Sequence, residues 1–224
     1  MQRKLALTLL VCLACIACCH AWKQIVVPEK PTLPPAFSAA VHVQRNYKPY
    51  QEYFRWFRDE KLQKARVDRL AEVHGETLFH SFIYDHSEQK MFAVFFRGEV
   101  ATCFTKTIRG NLTHFDLSEA EFLGKSYVYF DPVYHWQLET DRYHFELFDT
   151  PEPHRELRKV SFFIKPNGKA GSWTMHEFDA GSQDESLFMI NDKVKQSCTP
   201  YHGEAESASL PSHDHHAFLS LYTQ

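Results

Sequence analysis

Glycine is scarce in this chain, 8 in 224 residues, and nowhere is it dense enough to make a phosphate-cradling loop. The Gly-x-Ser-x-Gly elbow of serine hydrolases and the paired-histidine helix of metalloproteases are missing as well. No Lys/Arg run exceeds two or three neighbours and the formal charge is −3, which argues against nucleic acid as a partner. After residue 21 no apolar run approaches the roughly 20 residues that span a bilayer, so no transmembrane anchor is expected. Cysteine almost vanishes over the same stretch: Cys12, Cys15, Cys18 and Cys19 sit in the first 19 residues, and only Cys103 and Cys198 follow.

The N-terminus explains that distribution. Arg3 and Lys4 form a positive head, Leu5 to Cys19 is continuously apolar, and small residues run to Ala21. This is the pattern of a cleavable signal peptide over 1–21. Secretion places Cys103 and Cys198 in an oxidising compartment, where two cysteines suggest one disulfide. The sequon Asn111-Leu112-Thr113 fits the same route and marks Asn111 as a glycosylation candidate. The expected location is therefore extracellular or the lumen of the secretory pathway.

What is abundant is the aromatic ring: 19 Phe and 10 Tyr within 44% apolar residues favour strands around a real core. Residues 22–36 hold Pro28, Pro31, Pro34 and Pro35 and read as an extended lead-in. From Phe37 the pattern alternates apolar and polar, and about ten strands follow to residue 200. They include Glu76 to Asp85 and Lys90 to Arg97, paired as a hairpin. Ser118 and Glu121 have capping-box spacing and predict a short helix ending at Gly124. Asp184 or Ser186 is positioned to cap a second helix through Leu187, Ile190 and Val194. Residues 201–224 read as a polar tail.

The hairpin has an unusual property. Met91, Ala93 and Phe95 fall on one face, Phe92, Val94 and Phe96 on the other; Leu78, Phe82 and Tyr84 likewise oppose Phe79 and Ile83. Side chains alternate along a strand, so this part of the sheet is apolar on both sides. Each large side chain left in water forfeits about 1.5–3 kcal/mol, so both faces require a cover. The chain's own helix and loops, a partner subunit or an apolar ligand could each supply it.

Fourteen histidines raise the question of metal. His213, His215 and His216 are the densest group, but they lie in a tail without a rigid frame, which makes them weak ligand candidates. No cofactor is expected, and no residue stands out as catalytic; an enzyme is not the expected reading.

Three stretches carry a family resemblance. They are Pro34 to Val43 with the following aromatic run and Arg66-Val67-Asp68, Ala120 to Trp136, and His176 to Phe188 with Gly181 and Asp184. They resemble the ependymin and LolA-like secreted domains, including the non-catalytic domain ahead of some papain-like proteases. The resemblance implies a mainly β fold: a curved antiparallel half-barrel with a few short helices. Related folds hold acyl chains or other apolar molecules in the hollow. The expected lining is Phe54, Trp56, Leu78, Phe82, Tyr84, Phe92, Val94 and Phe96, and the expected partner a lipid or other apolar small molecule. The alternative is an extracellular interaction or matrix module, with a homodimer or another protein on the second apolar face. A metal-dependent enzyme is the remote third reading.

Overall fold

The computed structural model describes residues 27–201, apart from 50, 74, 152 and 154. The leader at 1–21 and His213, His215 and His216 of the tail lie outside the described residues.

Twelve strands form one mainly antiparallel sheet. In chain order they are β1 (Ala36–Arg45), β2 (Glu52–Asp59), β3 (Lys64–Val73), β4 (Glu76–Asp85), β5 (Lys90–Arg97), β6 (Val100–Thr107), β7 (Glu121–Val128), β8 (Asp131–Glu139), β9 (Tyr143–Asp149), β10 (Leu157–Ile164), β11 (Lys169–Ala180) and β12 (Thr199–Pro200). Their order across the sheet is β12-β6-β5-β4-β3-β2-β1-β11-β10-β9-β8-β7. Two meanders thus meet where β1 pairs with β11, and β12 adds a short parallel edge beside β6. The alternation read from Phe37 onward is the physical basis: Phe37, Ala39, Val41 and Val43 all point into one core.

The sheet is open and strongly curved. β6 and β7 stand about ten strand spacings apart, roughly 48 Å if the sheet were flat. Residues 108–120 join them directly, and fully stretched they would span that distance with almost no slack. They also carry a turn, with the Ala120 amide donating to the Leu117 carbonyl. The two flanks must therefore curl toward each other. A bulge between Ser38 and Ala40, where Glu177 adopts φ 48°, sharpens the bend at the centre. Close approach is enforced at Gly171, where a Cβ would lie 2.7 Å from the Gln44 carbonyl oxygen and 2.8 Å from the Phe162 ring.

Two expectations change. Residues 117–124 form no helix: Asp116 caps a turn by accepting from the Ser118 amide at 2.8 Å, and Glu121 already starts β7. The capping-box spacing lost to the alternation of Glu121-Phe122-Leu123 at a sheet edge, and Gly124 (φ +136°) sits at a bulge rather than a helix end. The second helix is broken in two. Asp184 caps a 3-10 turn, Glu185–Phe188, and Asn191 caps the five-residue helix α1, Asp192–Gln196. Asn191 accepts from the Lys193 amide, so it starts a new helix where a continuous one would need an interior residue.

Candidate functional site

The inner face of the curl holds the main core, from Phe37, Trp56, Phe82 and Met91 on one flank to Trp136, Leu147, Val160 and Trp173 on the other. Two irregular segments fill part of the hollow. The 108–120 crossing inserts Leu112, Phe115, Leu117 and Ala120, and the lead-in inserts Leu33. The crossing buries Leu112, Phe115, Leu117 and Ala120 at intervals of two or three residues while Asn111, Thr113 and Ser118 face water.

The plug is fastened at one end of the barrel. Gln63 grips Leu112 twice, donating to its carbonyl at 3.1 Å and accepting from its amide at 2.9 Å. Arg58, buried to 1% exposure, donates to the Thr113 carbonyl and pairs with Glu60 at 2.8 Å. His86 Nδ1 lies 2.9 Å from the Gly110 carbonyl oxygen. The lead-in is held across the hollow: Lys30 donates to the Ser118 carbonyl, and Arg155 donates to the Glu29 carbonyl at 2.7 Å. Arg155 also pairs with buried Asp149, which accepts from the Trp136 indole at 2.7 Å. Burial raises the Asp149 pKa even against the pull of Arg155 and Trp136.

The other end of the hollow is less filled. Along β4 the inward side chains run Tyr84, Phe82, His80, Leu78, and along β5 Met91, Ala93, Phe95. Tyr84, Phe82, Met91 and Ala93 are sealed, whereas Leu78, Phe95 and Phe104 of β6 are only partly buried and Thr102 is exposed. At this boundary sits His80. It has no exposure, both ring nitrogens lack a hydrogen-bond partner, and the Phe95 ring centroid is 4.5 Å away. Burial, and then the Arg69 charge beside it, lowers its pKa to about 4. Arg69 is its cross-strand partner on β3 and lies over Phe82 at 5.3 Å.

The outer face of the hairpin is covered by the chain itself. Ile83, Phe92, Val94 and Cys103 pack against Ile190, Val194 and Cys198, and Cys103–Cys198 is a disulfide with Cα atoms 4.4 Å apart. A groove of about 550 Å³ beside this helix mixes Ile83, Phe92 and Met189 with Lys64, Asp85, Glu88 and Lys195, a charged rim ill-suited to an apolar guest. Farther along the same face Tyr53, Leu70, Phe79 and Phe96 remain exposed and flank or adjoin a shallow depression of about 320 Å³.

The lining expected from sequence therefore divides. Phe54, Trp56, Leu78, Phe82 and Tyr84 face inward, but all of them except Leu78 are sealed in the core. Phe92 and Val94 lie on the opposite face under α1, and Phe96 faces outward, so these three line no common hollow with the rest. Period-two alternation already separated Phe92, Val94 and Phe96 from Phe82 and Tyr84 across the hairpin register. Sequence reasoning missed His80, Arg69, Phe95 and Phe104. The inward parity shared by Leu78, His80 and Phe82 was the available signal. Among the described residues no three His, Cys, Asp or Glu side chains converge as a metal site, and no helix is long and apolar enough to cross a membrane.

No protein-family model matches the sequence, and no curated protein matches it. Solved structures do. An uncharacterised conserved protein from Thermus thermophilus aligns over 75% of this chain and 92% of its own, with 11% identity and a TM-score of 0.50, and shares the fold. A LolA superfamily protein from Nitrosomonas europaea aligns over 72% of this chain and 93% of its own, with 7% identity and a TM-score of 0.39.

Proposed function

We propose that this chain is a secreted binding protein for a lipid or similar apolar molecule, seated at the half-open end of the hollow. One observation carries the reading. Inward burial falls from complete at Tyr84 and Met91 to partial at Leu78, Phe95 and Phe104, leaving an apolar mouth beside a filled core. Ligand sites are typically apolar recesses with few polar groups, and Arg69, His80 and Thr102 are the polar groups here. The leader pattern over 1–21, the disulfide and the exposed Asn111 sequon support secretion and glycosylation. The domain would be 37–200, and a likeness to ependymins in particular rests on the short sequence stretches alone.

Mass spectrometry of the natively purified protein tests the reading. A co-purified lipid, or saturable binding of a fluorescent fatty acid, is expected. Absence of both would remove the carrier. The second reading, an interaction module, is favoured by the exposed row of Tyr53, Leu70, Phe79 and Phe96. It predicts a tight dimer in sedimentation without any ligand.

A further inference from the structure

We propose that the tip of the β7–β8 hairpin, with Phe130 at its apex, inserts into the surface of a phospholipid bilayer. A two-residue turn joins the strands, since Val128 pairs with Asp131. Both turn residues, Tyr129 at φ 48° and Phe130 at φ 76°, lie in the left-handed region. Such turns normally carry Asn-Gly or Asp-Gly, because a bulky side chain there has a conformational cost. Packing offsets little of that cost at Phe130, which is 96% exposed. Tyr127 and Tyr129 are exposed beside it, and Tyr129 is steadied by stacking on His176 of β11, with ring centroids 5.9 Å apart. Aromatic rings held in water by a strained turn mark a contact surface.

Shape and charge decide what is contacted. The tip is convex, so a protein partner would need a pocket to receive Phe130, whereas a bilayer needs none. Tyrosines flanking a phenylalanine suit the membrane interface, with the phenols at headgroup level and the phenyl ring below them. The turn itself carries no charge, and Asp131 beside it is neutralised by Arg158 at 3.0 Å. Lys125 shares a strand face with Tyr127, and Lys159 follows Arg158 and lies over the Phe148 ring; neither pairs with a described carboxylate. Two cations behind an uncharged aromatic tip complement the anionic groups of lipid heads. One inserted ring gives a weak, reversible contact rather than an anchor.

The test is flotation of the full chain with vesicles that mix phosphatidylcholine and phosphatidylserine equally. The unaltered protein should float with them. Phe130→Gly should weaken vesicle binding about tenfold or more, the ratio for one large apolar side chain no longer withdrawn from water. Glycine adopts φ 76° freely, so the same variant should keep or raise the urea midpoint, which separates a lost contact from a lost fold. Phe130→Trp should still bind and should show quenching by brominated acyl chains beyond that of the unaltered protein. Vesicle binding that survives Phe130→Gly would overturn the proposal, as would emission in Phe130→Trp that brominated lipid leaves untouched. Failure of the unaltered chain to float would do the same; self-association through Phe130 in sedimentation would then make the tip a contact between copies. None of these outcomes depends on a lipid in the hollow, so the carrier reading stands or falls separately.

Discussion

Cys103, in the interior of β6, and Cys198, just past α1, are joined across the outer face with 4.4 Å between their Cα atoms. The bond holds Ile190 and Val194 over Ile83, Phe92 and Val94. That segment's helix is five residues long and buries none of its own residues fully; the other ties are the Lys195–Glu88 ion pair and the short β12 pairing with β6. The disulfide closes a separation of 95 residues. The chain-entropy estimate for such a loop is about 4–5 kcal/mol. Cys198→Ser should lower the unfolding free energy by an amount of that order, seen as a lower urea midpoint. It should also increase binding of a dye specific for exposed apolar surface. An unchanged midpoint would show that the helix stays docked by packing alone.

One side-chain amide makes two of the bonds that hold the plug. Gln63 holds both backbone groups of Leu112, at 2.9 and 3.1 Å, from a residue with φ 56°. Gln63→Ala removes both bonds and should cost about 1–3 kcal/mol. Its local signature is faster hydrogen exchange at the Leu112 amide, with β8 to β10 unaffected. Uniform acceleration across the sheet would mean that the crossing does not open independently.

Much of this arrangement was legible in the sequence, and the failures have physical causes. Alternation from Phe37 onward revealed the strands, and the two-faced hairpin called for a cover on each side, which α1 supplies over Ile83, Phe92 and Val94 but not over Phe79 and Phe96. What alternation cannot reveal is which distant segment lands on which face. Ile190 and Val194 over Phe92, and Leu112 and Phe115 over Phe82, are long-range choices. The helix expected at 118–124 failed because capping-box spacing is a weak local signal beside strand pairing with β8. His80 was overlooked because a lone histidine on an apolar strand face belongs to no sequence motif. His86 caps the plug through Gly110.

His80 should also make the fold acid-sensitive. Its pKa in the folded chain is about 4, against 6.5 for the free side chain, because burial and then Arg69 disfavour the cation. The unfolded chain therefore takes up the proton first. The contribution is fully present above about pH 6.5, is lost as pH falls toward 4, and changes no further below that. Screening at the half-open end limits the effect to on the order of 2 kcal/mol. Burial lowers the His86 pKa as well, so the comparison needs a variant. Urea midpoints at pH 7 and pH 5 should differ less in His80→Gln than in the unaltered protein. Identical differences would mean His80 is not protonated on unfolding in this range.

Arg155 ties three things together: the Asp149 carboxylate, the Glu29 carbonyl and the ring faces of Tyr134 and Trp136, at 5.2 and 5.8 Å. Arg155→Met keeps much of the bulk but leaves Asp149, 2% exposed, charged without its cation. Breaking one side of a buried pair typically costs about 3–5 kcal/mol. The loss should shrink on acidification, because the Asp149 pKa, already raised by burial, rises further once the guanidinium is gone. A carboxyl whose folded pKa is raised favours the folded state as pH falls. Adding Asp149→Asn should recover much of the loss at pH 7, since a neutral amide oxygen can still accept from the Trp136 indole. A double variant no more stable than Arg155→Met would show that the damage lies in the released lead-in at Glu29, not in the stranded charge.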